Sequence, residues 1–274
     1  MQSEPKSAPS SRCGAAILLA AGLGTRLTPL SDEWPKCLMP VHGRPLLEYW
    51  LHAVKSAGVS NTIVNLHHHS SHVSQFLNRS VHSHGVTPFF ETDLLGTAGS
   101  IRHITEAHTD GTTLVIHADN WSHCDLRGLL RYHEKAAARG MLMTMMTFDT
   151  DMPSQCGIVE TDSTAILQAF HEKKSDPPGS RANAAVYVLE PAVIDWLRER
   201  PEITDFSTEV IPEYIGQIAC WHHEGIHRDI GTPQALVAAQ GDPRHPLRQD
   251  IIDAWQLDFE KHAIHQMIQH CSVS

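Results

Sequence analysis

The sequence predicts an α/β protein built on a mostly parallel, mixed β-sheet flanked by helices. Short apolar runs alternate with amphipathic stretches along residues 15–140, and strand-like runs follow one another with little helix between them beyond residue 157. The 274 residues are 41% hydrophobic and 19% charged, which is near the globular average and excludes a disordered or collagen-like chain. This length accommodates one large domain or two smaller ones.

The first half of the chain alternates predicted strands with predicted crossover helices. Residues 15–21 form a continuous apolar run that is typical of a buried strand. Residues 45–57 carry apolar side chains at helical spacing and are followed by Gly58, a residue type that often ends helices. The same criteria predict strands at residues 62–66, 86–91 and 113–117 and helices at residues 71–77 and 98–108.

The pattern changes in the second half, where strands dominate. A helix is predicted at residues 126–138 and a methionine-rich strand at residues 141–148. The further predicted strands are residues 157–160, 166–170, 184–189, 218–223 and 226–229, and the further helices are residues 191–198, 207–214 and 232–240. Amphipathic helices from residue 249 onward cover either the core or a partner. We therefore expect a flexible leader at residues 1–13, one domain at residues 14–241 and a helical C-terminal extension at residues 242–274.

The charge balance excludes several classes of partner. The 21 Lys and Arg residues against 31 Asp and Glu residues give a formal net charge of −10, which opposes binding to nucleic-acid phosphates and anionic membranes. No apolar run approaches the ~18 to 20 residues of a membrane-spanning helix. The 6 cysteines form no C-x-x-C pair, as expected for reduced thiols in the cytosol. We predict a cytoplasmic protein that binds neither nucleic acid nor membrane.

A glycine-rich segment, LLAAGLGTRLTPL at residues 18–30, directly follows the first predicted strand. Because Gly22 and Gly24 lack Cβ atoms, the backbone amides of this loop can approach a phosphate chain, and Arg26 adds a bidentate cation. An ordinary tight turn would explain the glycine pair equally well. The spacing is that of neither a Walker loop nor a dinucleotide-binding fingerprint.

A second motif, PKCLMP at residues 35–40, holds Lys36 between two prolines that stiffen the chain. Together the two motifs resemble the signature of the sugar-1-phosphate nucleotidyltransferases, or NDP-sugar pyrophosphorylases, and most closely that of their mannose-1-phosphate guanylyltransferase branch. The resemblance runs from about Ala15 to Gln240. It implies a Rossmann-like (GT-A-like) sheet and a single nucleotidyltransferase domain.

The resemblance also implies a set of site residues. For the nucleotide these are Leu19, Ala20, Ala21, Gly22, Gly24, Thr25, Arg26, Glu91, Gly96 and Thr97. For the sugar phosphate they are Gly157, Glu172, Lys173 and Asn183. The implied catalytic residues are Arg26, Lys36, Asp119 and Lys173. The sequence departs from the family at Ala118, where glycine is usual.

The metal implied by the resemblance is Mg²⁺, bound by Asp119 and Asp229. Each of these residues ends a predicted strand, where an α/β sheet gathers its ligand-binding groups. Two carboxylates, together with phosphate oxygens and waters, suit this hard cation. A single aspartate at a strand end more often caps a turn or a helix, so the prediction depends on the pair.

The activity implied by the family is attack of a sugar-1-phosphate oxygen on the α-phosphorus of a nucleoside triphosphate, which releases pyrophosphate and forms an NDP-sugar. The implied sugar phosphate is mannose-1-phosphate or a related hexose or heptose phosphate. No protein nucleophile is needed, so catalysis rests on positioning and charge neutralisation. Glu91 favours GTP, because a carboxylate accepts both N–H donors of the guanine edge. The alternative is that Glu91 is a solvated charge at the end of a strand, since acidic residues are mostly exposed.

Several alternatives stay open at this point. The same chemistry with UTP, dTTP or CTP is one, and a non-catalytic subunit that senses nucleotide sugars on the same fold is another. The 21 histidines also allow a metal-buffering protein, although no H-E-x-x-H motif is present and adventitious metal binding is the simpler expectation. The sequence does not decide whether the chain forms a homo-oligomer.

Overall fold

The computed structural model describes residues 13–82, 84–108, 111–245 and 252–271. The leader expected at residues 1–13 lies outside these ranges except for Cys13, as does the start of the amphipathic tail at residues 249–251. In the described ranges, the strands are β1 (Cys13–Leu19), β2 (Pro40–Val41), β3 (Arg44–Pro45), β4 (Thr62–Leu66), β5 (Val86–Phe90), β6 (Thr112–His117), β7 (Asn120–Ser122), β8 (Met143–Asp149), β9 (Gly157–Thr161), β10 (Leu167–Glu172), β11 (Arg181–Leu189), β12 (Ile218–His222) and β13 (His227–Asp229). The α-helices are α1 (Leu30–Glu33), α2 (Leu46–Ala57), α3 (Ser70–Leu77), α4 (Gly96–His108), α5 (Leu126–Ala137), α6 (Pro191–Arg198), α7 (Pro233–Gly241), α8 (Ala254–Glu260) and α9 (Ile264–Cys271). None of the helices in these ranges is long and apolar enough to cross a bilayer.

The main sheet has nine strands in the described ranges. Its order is β10-β9-β11-β6-β1-β4-β5, and β8 pairs with both β11 and β12. Strands β5, β4, β1 and β6 are parallel, whereas β11 is antiparallel to β6 and β8 is antiparallel to β11. The predicted mixed sheet flanked by helices is confirmed. Most of the parallel pairs are formed by β1, β4, β5 and β6, which come from the first half of the chain.

The connectivity of the parallel half creates a crevice. Strands β1, β4 and β6 are apolar and buried along most of their length, as expected for a sheet covered on both faces. Helix α2 leads from β1 to β4 and α3 leads from β4 to β5, after which α4 returns the chain to β6 on the other side of β1. This reversal opens a crevice at the carboxyl ends of β1 and β6, where open α/β sheets bind ligands.

Two apolar layers form because neighbouring side chains of a strand point to opposite faces of the sheet. Leu18 of β1 packs in one layer with Trp50 of α2. Ile17 packs in the other layer with Ile101 of α4. The helices therefore cover both faces and leave the strand ends free to carry polar groups.

Most predicted elements are present within two residues of their expected ends. The helix predicted at residues 207–214 is different. It is a π-helical turn at Phe206–Val210 followed by a 3₁₀ turn at Ile211–Tyr214, because Pro212 has no N–H for an α-helical hydrogen bond. The short turns and the β2–β3 hairpin that follow the glycine-rich loop were not predicted from the sequence.

The C-terminal helices α8 and α9 lie against the rest of the chain. Phe259, Ile264 and Ile268 are buried in the same apolar layer as α2. The tail therefore covers the core of its own chain, which the sequence left undecided. The boundaries at residues 14–241 and 242–274 stay predictions.

Candidate active site

The glycine-rich loop leaves β1 at the carboxyl edge of the sheet. Gly24 has a φ of +67°, a left-handed conformation that favours glycine, and precedes the 3₁₀ turn Thr25–Leu27. A Cβ atom added to Gly24 would lie 3.2 Å from the Cβ of Ser31 and 3.3 Å from the Cβ of Lys36. The loop thus folds back onto the segment that carries Lys36, which brings the two sequence motifs together.

A buried hydrogen-bond network holds the start of this loop. The backbone N–H groups of Ala20 and Ala21 donate to Oδ1 of Asn65 at 2.5 and 3.2 Å. Nδ2 of Asn65 donates to Oε1 of Glu91 at 2.9 Å and to Oγ of Ser100 at 3.2 Å. Sequence reasoning missed Asn65. A polar side chain in the middle of the fully buried strand β4 was the available signal, because such groups need hydrogen-bond partners.

Replacing Asn65 with Ala should loosen the loop and the nucleotide site that the sequence motifs predict there. The substitution removes the acceptor of two loop N–H groups and one partner of the Glu91 carboxylate, which costs about 1–3 kcal/mol. For the nucleoside triphosphate that the sequence motifs predict as a substrate, we expect the KM to rise at least about tenfold, and we expect the melting temperature to fall. Steady-state kinetics and thermal denaturation measure both effects. Asn78→Ala, at an exposed asparagine, is the control, and an unchanged KM in Asn65→Ala would contradict the role.

A cavity of about 180 Å³ opens at the carboxyl ends of β1, β4 and β6. Its lining residues that the sequence predicted are Leu19, Ala21, Gly22, Gly96, Thr97 and Asp119, and those it missed are Asn65, Ser100 and His117. Gly96 has a φ of +73°, and an added Cβ would lie 2.4 Å from the carbonyl oxygen of Thr204. Only glycine fits there, so the start of α4, which lines one side of the cavity, packs tightly against the backbone of Thr204. The predicted residues Ala20, Gly24, Thr25 and Arg26 belong to the adjoining loop.

Four charged side chains converge beside the cavity. Lys36 comes from the 3₁₀ turn Lys36–Leu38, is 7% exposed, and places its Nζ 2.6 Å from Oδ2 of Asp119 and 3.2 Å from Oδ1 of Asp229. Asp119 follows β6, and Asp229 ends β13, where it pairs with Asn120 in an antiparallel ribbon with β7. This ribbon brings together two aspartates that are far apart in sequence. Arg26 donates to Oδ2 of Asp229 at 3.0 Å.

Lys36 and Asp119 favour each other's charged forms. Burial alone would lower the pKa of Lys36, but the carboxylates of Asp119 and Asp229 raise it above its ordinary value. Burial alone would raise the pKa of Asp119, but the Lys36 ammonium holds it below its ordinary value. The pair is therefore a stable ammonium–carboxylate contact, and the side chain of Asp119 is still 34% exposed.

The donor set fits a divalent cation of the Mg²⁺ type. One oxygen of Asp119 and one oxygen of Asp229 both contact the positively charged Nζ of Lys36, so the two carboxylates can share one cation. Mg²⁺ is usually held by one or two carboxylates, with waters and substrate phosphates as its other ligands. Within the described ranges, no group of three or more His, Cys, Asp or Glu side chains is arranged to hold a metal ion. The protein ligands that this site provides for a cation are thus the two carboxylates.

Ala118 stands where the family that the sequence resembles usually has glycine, and it fits beside Asp119. Its backbone N–H donates to the carbonyl of Leu19 at 3.0 Å and links the ends of β1 and β6. Its methyl group is fully buried in the apolar layer. The departure therefore adds packing below the site and leaves the Asp119 carboxylate in place.

The residues predicted for the sugar phosphate lie together at one end of β9, β10 and β11. Gly157 and Glu172 are direct partners in the β9–β10 pair. Lys173 follows β10, is 67% exposed, and places its Nζ 3.2 Å from Oε1 of Glu172. Asn183 of β11 donates from Nδ2 to Oη of Tyr187 at 2.6 Å. One exposed cation and two polar side chains thus border the same surface.

Cys156 shows how this surface relates to the carboxylate cluster. Burial raises the pKa of its thiol, and the charges of Asp229, Glu172 and Lys173 also act on it. The thiol is therefore within electrostatic range of both groups. Glu172, Lys173 and Asp229 thus lie near the same thiol.

Comparison with known proteins agrees with this geometry. Residues 15–244 match the family model described as nucleotidyl transferase. The chain therefore belongs to the nucleotidyl transferase family. The resemblance inferred from the two sequence motifs is confirmed.

Its relatives include several proteins named for one activity. The chain is 31% identical over 232 residues to the mannose-1-phosphate guanylyltransferase of Mycobacterium tuberculosis. These aligned residues are 83% of this chain and 64% of that protein. It is 29% identical over 230 residues to the mannose-1-phosphate guanyltransferase of Candida albicans. Here the aligned residues are 81% of this chain and 62% of that protein. The chain thus spans less than two thirds of the length of these relatives.

Solved structures show the same fold. A putative glucose-1-phosphate thymidylyltransferase from Bacillus anthracis, in complex with a sucrose, superimposes with a TM-score of 0.74 at 21% identity over 89% of this chain and 98% of that chain. HddC from Yersinia pseudotuberculosis complexed with GMP-PN superimposes with a TM-score of 0.68 at 20% identity over 83% of this chain and 98% of that chain.

Proposed function

We propose that this protein transfers a nucleoside monophosphate from a nucleoside triphosphate to a sugar-1-phosphate, releasing pyrophosphate and forming an NDP-sugar. The observation that carries the proposal is the convergence of Lys36, Asp119, Asp229 and Arg26 beside a cavity at the reversal of the sheet. The names of the relatives support GTP and mannose-1-phosphate as the first substrates to test. A related hexose or heptose phosphate is the second choice of acceptor.

The residues supply positioning and charge, and no protein nucleophile is required. The backbone amides of residues 22–24 and the Arg26 guanidinium would hold the triphosphate, while the N–H groups of Ala20 and Ala21 stay bound to Asn65. Lys36 lies where the two carboxylates converge and would neutralise charge on a phosphate that enters there. Lys173, on the opposite border, would bring in the phosphate of the sugar.

Asp119 and Asp229 would hold the divalent cation, which we take to be Mg²⁺. When bound, this cation would supply charge neutralisation and orientation of the triphosphate oxygens. Arg26 and Lys36 form ion pairs with these carboxylates, so the cationic and anionic side chains of the site are in direct contact. The expected compartment is the cytoplasm, which the six free cysteines support.

Glu91 is the proposed base-reading residue. Its Oε1 accepts from Asn65, while its Oε2 is buried and has no hydrogen-bond partner among the residues that the structure describes. An unpaired buried carboxylate oxygen is costly, so Oε2 is the one acceptor of this network with an unmet hydrogen bond. The N–H donors of a guanine edge would satisfy it.

Glu91→Gln should reduce the preference for GTP over UTP by at least about tenfold, because the amide keeps an acceptor for Asn65 but loses the charge that pairs with two donors. The ratio of kcat/KM values for the two nucleotides measures this effect. Asp93→Asn, in the exposed part of the same loop, is the matched control. An unchanged ratio in Glu91→Gln would mean that Glu91 only supports Asn65.

Pyrophosphate release across a matrix of nucleotides and sugar phosphates tests the proposed function. GTP, ATP, UTP, CTP and dTTP are each combined with a panel of sugar-1-phosphates in the presence of Mg²⁺. Turnover that depends on both substrates supports the proposal, and the best pair identifies base and sugar. Nucleotide-sugar binding without turnover would instead support a sensing subunit on the same fold.

A further inference from the structure

The C-terminal helices contact the segment that carries Lys36. The family match ends at residue 244, so α8 and α9 lie beyond it. Phe259 of α8 is 2% exposed and stacks on Trp34, with ring centroids 5.7 Å apart and planes at 27°. His262, which follows α8, packs on the same indole at 4.3 Å. Trp34 stands only two residues before Lys36.

Trp34 holds the turn that presents Lys36. Its indole Nε1–H donates to the carbonyl of Leu38 at 2.9 Å, so the side chain bridges the whole 3₁₀ turn Lys36–Leu38. Trp34 itself is buried. A lysine has a long side chain with many rotamers, and a fixed backbone below it narrows the positions that Nζ can reach. The contact chain therefore runs from Phe259 through Trp34 to the turn under Lys36.

A separate contact anchors the tail. Arg79 donates to Asp253 at 2.7 Å and to Glu48 at 3.2 Å, and its side chain is almost fully buried. The same guanidinium lies over the ring of Trp255 at 4.9 Å. Asp253 also accepts a hydrogen bond from the backbone N–H of Gln256 and so caps α8. The start of α8 is thus held independently of Phe259.

We propose that α8 and α9 are a positioning element for Lys36, with Phe259 as the residue that transmits the contact through Trp34. This inference rests on the proposed function, in which Lys36 acts on the phosphates. Phe259 touches neither the cavity nor the carboxylates, so it is a positioning residue. Truncating its ring leaves space beside Trp34 and frees the indole to leave its hydrogen bond with Leu38.

Phe259→Ala in the full chain tests the proposal. We expect kcat to fall about 10- to 100-fold, because small displacements of a phosphate-binding group are costly. The KM for the nucleotide should stay within about threefold, since the cavity and the glycine-rich loop are not altered. Phe259→Leu, which fills most of the space, should restore much of kcat. Leu257→Ala, at an exposed residue of the same helix, should behave as wild type.

Trp34→Phe probes the second link, because it keeps an aromatic ring beside Phe259 and removes the indole donor to Leu38. We expect the same selective loss of kcat. A loss of kcat that simply follows the melting temperature in all these variants would overturn the proposal. So would wild-type kcat in both Phe259→Ala and Trp34→Phe.

Hydrogen exchange by mass spectrometry separates this inference from the proposed function, because it needs no substrate. Phe259→Ala should accelerate amide exchange in residues 34–39 and leave α4 unchanged. Faster exchange confined to residues 254–271 would show that the tail is uncoupled from Lys36 and overturn the inference. A wild-type protein without turnover would contradict the proposed function, while the exchange pattern would still decide the coupling.

Discussion

Lys36→Met is expected to lower kcat by about 10²- to 10³-fold, the effect of removing one preorganised charge from a site that stabilises a charged transition state. Methionine keeps most of the length and the apolar stem of lysine but has no ammonium. The buried Nζ contacts both Asp119 and Asp229, whereas the neighbouring cation Arg26 contacts Asp229 from the exposed side. Pyrophosphate release at saturating substrates measures the loss.

The fold should survive this substitution. Asp119 remains partly exposed and Asp229 keeps its contact with Arg26, so neither carboxylate becomes a fully buried unpaired charge. Lys55→Met, at an exposed lysine of α2, is the matched control and should keep wild-type activity and stability. A Lys36→Met protein with near-wild-type kcat and a normal melting temperature would remove Lys36 from the mechanism.

Asp119→Asn is expected to lower kcat/KM on the order of 10³-fold, which corresponds to a loss of several kcal/mol of transition-state stabilisation. The Mg²⁺ concentration needed for turnover should rise as well. The amide keeps the shape of the side chain and removes the charge that the ammonium of Lys36 and a divalent cation both require. Kinetics at increasing Mg²⁺ measure the effect, and Mn²⁺ binding to the protein gives a readout without turnover.

Asp151→Asn, at an exposed aspartate, is the control for this experiment. It removes one negative charge from the surface and leaves the converging carboxylates untouched. An Asp119→Asn protein with wild-type metal dependence would show that the cation binds elsewhere. Wild-type Mn²⁺ affinity in the same variant would lead to the same conclusion.

The strands and helices of the main domain could be predicted because their apolar runs are bounded by clear turn residues. Thr62–Leu66 and Pro191–Arg198 agree with their predicted ends, since each run is interrupted at both ends by polar residues, glycine or proline. The segment between Thr25 and Pro45 was not predicted. Its turns have no periodicity of their own and are held by contacts with distant parts of the chain.

The site was only partly predictable for the same physical reason. The convergence of Asp119 and Asp229 depends on the β7–β13 ribbon, which no local spacing encodes, so the pair came from a family resemblance. Asn65 was missed because the strand pattern around it is dominated by burial. The contact between Trp34 and Phe259 joins residues more than two hundred positions apart, and the sequence indicated only that the tail is amphipathic.

Phosphorus NMR of the complete reaction tests the central claim most directly. The reaction contains Mg²⁺ and either GTP with mannose-1-phosphate or the best substrate pair from the matrix. We expect equal amounts of pyrophosphate and of an NDP-sugar to form. Both signals should be absent with Lys36→Met over the same time. Formation of a nucleoside diphosphate and inorganic phosphate instead would mean attack at the terminal phosphorus, and would contradict nucleotidyl transfer by this site.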